Sequence, residues 1–514
     1  MLRGRLLAAM PFLLLLSFIT KAQTRIDIGE VLVEEESVNK SMSLRKESVS
    51  GKYIIPRADL VGFAYSNAGD VIKNLPMIYL DGDPGATRNV SIGGLGREYQ
   101  SILINGRQPA GGEDSRDLKL DRIPVSMIER IEIDYNTPVS EGTAGIAGTI
   151  NIILKDEADH PGISIHLLSN LNTTDPVPGF RGDIEASGSL GRIKLYGGLT
   201  YNSYQRLKTT ELEDTSTDIK GGVEEGIVTD MAGANLSLSI PIKEYSEIDF
   251  KGFFSWFNED EFEDADVKRR KDGTLNIRES ETDNDKLRYL MTYDLAYSYK
   301  KGKDIFTAIG GFSNNFERRH KNQLAEKSDY YEEAQEHEDQ DNFSLNADIL
   351  YSRKDIRIAS MTSQMNSGLK VSHNMRNTDR FNATRPQGYL LWDILDESYS
   401  LDETIISAFM DYKLRIAENL VLMPALNYEY STGTFQTADT SGNHTYGHLA
   451  PSIHIKYSLS DKFVLNVGLA RHISRPAFMS MVPISKVKIK KDLIEVGNTE
   501  LLPSKALSID LGAS

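Results

Sequence analysis

Between Tyr289 and Tyr299 every second side chain is apolar or aromatic. Tyr289, Met291, Tyr293, Leu295, Tyr297 and Tyr299 share one face, and Thr292, Asp294, Ala296 and Ser298 take the other. A sustained period of 2 means an extended strand with one face in an apolar medium and the other in a polar one. The alternation returns where Phe343, Leu345, Ala347, Ile349 and Tyr351 oppose Ser344, Asn346 and Asp348. It returns again where Leu449, Pro451, Ile453, Ile455 and Tyr457 oppose His448, Ser452, His454 and Lys456. Strands of soluble sandwiches run about 5–6 residues, whereas a tilted strand needs about 9–11 to cross a bilayer. The apolar faces also end in Tyr, as an interfacial girdle would. The pattern therefore predicts a membrane β-barrel.

The spacing of turns agrees. Short connections fall at Leu190–Arg192, Lys243–Ser246, Lys300–Asp304, Ile416–Asn419 and Leu459–Lys462, with a less compact one near Arg353–Ser363. Between them lie polar stretches expected to be long loops, at residues 207–230, 258–287, 317–341, 376–401, 432–445 and 475–503. Short turns on one side and long loops on the other mark outer-membrane barrels. Counting from Gly162 gives about fourteen antiparallel strands, the last starting near Ser504. The barrel is expected to occupy residues 157–514.

The first 22 residues read as a signal peptide: Arg3 and Arg5, an apolar run Leu6–Ile19, then Thr20-Lys21-Ala22, so that the mature chain begins at Gln23. No later apolar run is long enough to cross a bilayer as a helix. The mean hydropathy of -0.36 suits a barrel with polar loops. With no cysteine there is no disulfide and no thiolate metal site, and the 9 histidines show no zinc spacing. A net charge of -16 argues against nucleic acid as a partner. The acidic runs 258–266 and 328–341 lack the order and central Gly of an EF-hand. No metal, cofactor or catalytic residue is expected, and the chain does not read as an enzyme.

Residues 52–156 read as a compact α/β domain. Asn67 caps a short helix that Pro76 ends. Gln100–Ile104 is an apolar strand closed by Asn105-Gly106, a strong turn signal. Pro124 with Met127, Ile128 and Ile131 predicts a short amphipathic helix running into the strand Ile131–Ile133. Ala147–Leu154 is an Ile-rich closing strand. Gly93, Gly94, Gly96, Gly106, Gly145 and Gly148 supply tight turns or close backbone approach. The Gly-rich loop does not fit phosphate binding, because neither a dinucleotide fingerprint nor a P-loop is present. Ahead of this domain, residues 23–51 form a charged tail.

Three blocks carry a family resemblance: Val90–Arg107, Asp121–Ile133 and Gly142–Lys155. In this order and spacing they resemble the plug domain of TonB-dependent outer-membrane receptors. The resemblance implies an N-terminal plug inside the lumen of an outer-membrane barrel, which in this family closes with about twenty-two strands. With about fourteen strands present, the chain reads as C-terminally truncated. Its final Leu511-Gly-Ala-Ser514 lacks the family's terminal aromatic, and Arg475-Pro476 and Gly497–Pro503 look like mid-barrel motifs of Bacteroidetes-type members.

In the tail, Asp27, Ile28, Gly29, Glu30, Val31, Leu32 and Val33 form a short β-prone run able to add to a partner's sheet edge. It looks like a TonB box, and the implied partner is a TonB-type energy transducer. The other implied partners are outer-membrane lipid and an extracellular solute, first among them a siderophore-like iron chelate. The alternatives are a glycan or peptide importer, or a non-energised barrel with an adhesive, structural or passive-channel role. Arg97, Tyr99 and Arg107, beside the plug turns, and His448 and His454, on one lumen-facing strand, are the candidate solute contacts. The chain departs from the family at two plug positions. Gly93 stands where Arg is usual, and Asn136-Thr-Pro138 stands where Arg-Gly-Pro is common, so how the plug seats against its wall is not carried over from the family.

Overall fold

The computed structural model describes residues 40–513 apart from 62–66, 74, 82–88, 113–115, 117, 157–160, 172–177, 215–218, 272–273, 328–329, 359–360, 387–392, 461–462, 483–484 and 489–492. The signal segment and the candidate box Asp27–Val33 lie outside the described residues.

The N-terminal domain is built on β1 (Tyr53–Pro56), β4 (Gln100–Ile104), β5 (Ile128–Asp134) and β6 (Gly148–Leu154), in the order β1-β5-β6-β4. Strand β5 is antiparallel to β1 and β6, while β4 runs parallel to β6. Two further strands, β2 (Ile78–Asp81) and β3 (Asn89–Ile92), form a separate pair. Asn67 caps the helix Ala68–Ile72 as expected, its side chain accepting from the Asp70 N–H at 3.1 Å. Ile72, Ile102, Ile131, Ile133, Ile150 and Ile152 form the core. Barrel residues Phe253 and Leu290 belong to the same cluster, so plug and wall share one apolar interior.

The helix expected after Pro124 is not there. A single 3-10 turn, Val125–Met127, leads directly into β5. The register of β5 against β6 shifts between Ile128 and Arg130. That bulge puts Ile128 and Ile131 on the buried face although they are three residues apart. A bulged strand thus carries the apolar spacing of a helix.

The second domain is one antiparallel sheet of 14 strands. Its strands are β7 (Gly162–Leu171), β8 (Pro178–Leu190), β9 (Ile193–Asp214), β10 (Ile219–Lys243), β11 (Ser246–Lys271), β12 (Thr274–Lys301) and β13 (Asp304–Lys327). They continue with β14 (Tyr330–Ile358), β15 (Met361–Pro386), β16 (Asp393–Ala417), β17 (Leu420–Thr437), β18 (Ser441–Ser460) and β19 (Phe463–Ser474). After a pair formed by β20 (Ser485–Lys488) and β21 (Leu493–Val496), β22 (Ser504–Ala513) adds beside β19. Strands β7 and β22 are the two edges of the sheet.

The alternation read from sequence holds on the wall. On β12, Tyr293, Leu295, Tyr297 and Tyr299 face outward while Thr292 and Ser298 are buried. Outward rings stack across strands: Tyr289 on Phe316 with centroids 5.0 Å apart, and Tyr293 on Phe312 at 6.2 Å. Such pairs add aromatic contact area to the outward face of the wall.

The long loops, by contrast, are mostly strand. β14 has 29 residues and β12 has 28, far more than the about 9–11 a crossing needs. The sheet continues beyond the lipid band as paired hairpins. Cross-strand charge pairs line them: Arg318 grips Asp339 through two hydrogen bonds of 2.8 and 2.9 Å, and Arg380 meets Glu338 at 2.8 Å. Ladder hydrogen bonds and opposite-charge neighbours keep a polar hairpin ordered without a core. The expected loop 475–503 holds a helical turn (Phe478–Met481) together with a small hairpin of its own.

Candidate functional site

The plug is pinned to the wall by charge pairs. The turn Leu120–Arg122 carries Arg122, which reaches Glu317 on β13 at 2.5 Å and also donates to Asn315. Arg288 on β12 lies between plug Asp121 (3.8 Å), Glu259 on β11 (3.8 Å) and Glu317 (3.4 Å). Lys286 holds Glu259 at 2.9 Å and Glu261 at 2.6 Å. Arg288 and Asp121 are each 1% exposed. Elsewhere Lys155 of the plug pairs with Glu185 on β8, and Lys251 on β11 meets Asp156 at 2.5 Å.

Two other buried wall carboxylates each take one plug donor. Glu403 on β16 accepts from Arg116 at 2.5 and 3.3 Å, and from Ser431 at 3.2 Å. Glu429 on β17 accepts from Thr143 at 2.5 Å and pairs with Arg475, which follows β19. The segment 475–482 folds inward. The Pro476 carbonyl accepts from Arg116 at 2.7 Å, and the Phe478 ring stands 4.3 Å from the Arg116 guanidinium.

A cavity of about 180 Å³ lies between plug and wall. Five cations reach it: Arg107, Arg116, Lys370, Arg376 and Arg475. They meet three carboxylates, Glu141, Asp348 and Glu429, along with several Asn and Ser side chains. Asp294 behind Arg107 and Glu403 behind Arg116 offset two of these cations, so the lining is polar and of mixed charge.

The candidate residues fall in different places. Arg107 lines this cavity and is paired with wall residue Asp294. Arg97 is exposed and reaches Asn89 at 3.3 Å, while the Tyr99 carbonyl accepts from Ala147 inside the plug. His454 meets the Asn136 carbonyl at 3.0 Å in the plug–wall seam, and His448 is buried on the same strand. The structure therefore brings Arg107 to the cavity and leaves the other four outside its lining. Asn105 and Gly106 form the expected turn with positive φ, as do Gly93, Gly94, Gly145 and Gly148, whereas Gly96 lies outside that region at φ -59.

Arg116, Arg122, Glu317, Glu403 and Glu429 were not singled out from the sequence. The signal was present for the acids. Glu317, Glu403 and Glu429 sit at lumen-facing positions of alternating strands, where a buried carboxylate needs a cation. Nothing local in the sequence identifies Arg116 and Arg122 as the partners.

At the other end of the plug, Asp134 is buried and receives the Ser50 hydroxyl at 2.5 Å. Burial pushes its carboxyl up from the usual range to about 6, against the pull of Lys52. A carboxyl whose folded pKa is raised binds its proton more tightly when folded, so its stabilisation is present below the usual carboxylate range and fades as pH rises towards about 6. Asp134→Asn is expected to flatten this dependence and to stabilise the plug at pH 7.5 by roughly 1–3 kcal/mol. Urea unfolding of the plug at pH 5 and 7.5 measures it, and an unchanged pH slope would refute the assignment.

A domain with its own apolar core, pinned by charged side chains inside a sheet whose outer surface is apolar, defines a plugged outer-membrane barrel. Residues 45–149 match the TonB-dependent receptor plug domain, and residues 285–514 match the outer membrane protein beta-barrel family. The chain belongs to the TonB-dependent outer-membrane receptors. The iron-regulated outer membrane virulence protein of Vibrio cholerae serotype O1 is 33% identical over 112 residues, which are 20% of this chain and 17% of that relative. The fold is similar to that of the siderophore receptor PiuA from Acinetobacter baumannii (TM-score 0.64, 11% identity, 90% of this chain and 69% of that one). It is also similar to the ferric-catecholate import receptor Fiu from K12 E. coli (TM-score 0.61, 10% identity, 90% and 70%).

Proposed function

We propose that this receptor imports a scarce, large solute, most simply a siderophore-like iron chelate, and that a TonB-type transducer drives the import with the inner-membrane proton gradient. The transducer grips Asp27–Val33 from the periplasm and adds to it as a strand. One observation carries the reading. The chain just behind that segment, residues 46–52, is fastened at the short-turn end of the barrel, while the polar, mixed-charge cavity lies between plug and wall. A force applied to the tail therefore acts on the plug that floors the cavity. Arg107, which bridges the cavity to wall residue Asp294, is the solute contact that this placement supports best. The relatives whose names refer to iron or siderophores support the cargo class.

Deleting Asp27–Val33 from the full-length receptor is expected to abolish uptake of a radiolabelled ferric chelate by cells while leaving its binding at the cell surface intact. Unchanged uptake with retained binding would favour the non-energised barrel instead.

A further inference from the structure

The antiparallel register of β13 and β14 sets His320 directly opposite His337. Their rings meet edge to face, with centroids 4.2 Å apart and an interplanar angle of 77°. His320 is exposed, and the His337 side chain keeps 39% of its surface. The pair stands on the outward face of the wall. Phe316, on the same face of β13, carries the outward ring that stacks on Tyr289, and Arg318 and His320 follow it at every second position. Four residues of extended strand span roughly 13 Å. The pair therefore lies on the polar hairpin beyond the lipid band and faces water, away from the lumen and the plug.

Acids surround it. Asp285 on β12 is the register partner of His320, and Asp379 on β15 is that of Asp339. Asp339 follows His337 on the same face, with a carboxylate oxygen 3.7 Å from His337 Nε2. Arg318 is the cation that faces them from β13. Its hydrogen bonds hold the Asp339 carboxyl below the usual carboxylate range, so Asp339 stays ionised. The same guanidinium lies over the Phe316 ring at 5.6 Å, which commits it to Asp339 and Phe316 rather than to the imidazoles. The local field thus favours a cation.

Neutral imidazole suits zinc, copper and nickel, whereas magnesium and calcium want oxygen ligands. Side chains directly opposite on antiparallel strands have Cβ atoms about 4.5–5.5 Å apart. A turn about χ2, a broad torsion in His, brings one nitrogen from each ring to a common point at the roughly 2.0–2.1 Å that zinc requires. Among the described residues no group of three or more His or acidic side chains closes on one point, so the protein's share is two ligands and water fills the other positions. We propose that His320 and His337 form a two-point site for a divalent transition cation of the zinc or copper class, on the outer face of the β13–β14 hairpin. Asp285 and Asp339 supply charge to it rather than bonds. A bound ion ties the two strands together outside the lipid band. The site faces away from the plug, so it stands or falls independently of the transport reading.

Cu²⁺ is the probe. The full-length receptor, purified without a polyhistidine tag and given an equimolar amount of Cu²⁺, should show the pulsed EPR modulation of two coordinated imidazoles. His320→Gln and His337→Gln should each reduce the count to one. Each should also weaken copper binding by roughly tenfold or more, because the second imidazole binds at high effective concentration once the first is engaged. Excess Zn²⁺ should displace the copper and excess Mg²⁺ should not. Asp339→Asn should leave the two-imidazole signature in place, and its loss there would make the carboxylate a ligand and overturn the two-point assignment. A signature unchanged in both His variants puts the copper on other histidines and overturns the site. Failure of the unsubstituted receptor to hold copper overturns it equally. Displacement by Mg²⁺ would assign the ion to the acidic face and overturn it as well.

Discussion

Arg288→Met should destabilise the seating of the plug by about 3–5 kcal/mol, the usual cost of removing one partner from a buried ion cluster. Arg288 lies among Asp121, Glu259 and Glu317, at 3.8, 3.8 and 3.4 Å. It therefore serves plug and wall at once. Together with Lys286 and Arg122 it faces the four carboxylates of Asp121, Glu259, Glu261 and Glu317. Methionine fills much of the same volume beside the Phe257 ring, so the loss reports charge rather than a cavity. The remaining carboxylates would be left crowded in a site that water hardly reaches. The urea midpoint for protease attack on the plug within the folded barrel measures the effect. Adding Glu317→Gln to Arg288→Met should recover part of the loss, because the two residues share one network. A single-variant loss under about 1 kcal/mol would mean that the cluster is solvated and unimportant for seating.

Gly148→Ala should unfold or nearly unfold the plug, at a cost above about 3 kcal/mol, while Gly94→Ala should cost about 1–2 kcal/mol. Both glycines have positive φ, 134° and 74°. Around Gly94 nothing lies within 4 Å of an added Cβ. At Gly148 the Cβ would sit 2.7 Å from the Asp134 carbonyl oxygen and 3.1 Å from the Tyr135 Cα. Those atoms are backbone, so no side chain can turn away to make room. Gly148 also starts β6, which pairs with both β4 and β5, so a shift there spreads through the plug sheet. The same urea series compares the two variants, and equal midpoints would show that the close approach at Gly148 relaxes freely.

Much of this architecture is legible in the residues. The period of 2 in Tyr289–Tyr299 and Gly447–Tyr457 reports a wall with lipid on one side, because a strand can satisfy two media only by alternation. The short turns fall where they were read, at Leu190–Arg192 and Lys243–Ser246 among others, and Asn67 caps its helix. Two local readings went astray for physical reasons. The Ile128–Ile131 spacing looks helical because a bulge resets the face of β5. The polar stretches look like loops because composition reports solvent, and a hairpin standing in water is as polar as a loop. Its ladder is made by the neighbouring strand, which no local window contains.

The residues alone already define a lipid-facing antiparallel sheet around a Gly-punctuated α/β plug. That information is local, carried by side-chain period, turn chemistry and three motif blocks. The tertiary structure alone decided how the plug is seated. Arg122 finds Glu317 across 195 residues of chain, and Arg116 finds Glu403 across 287. Such pairs depend on strand register, which sets which inward carboxylate stands at which height in the lumen. The tail is held by Lys413, Lys456 and Asn466, which only the closing together of β16, β18 and β19 brings to one place.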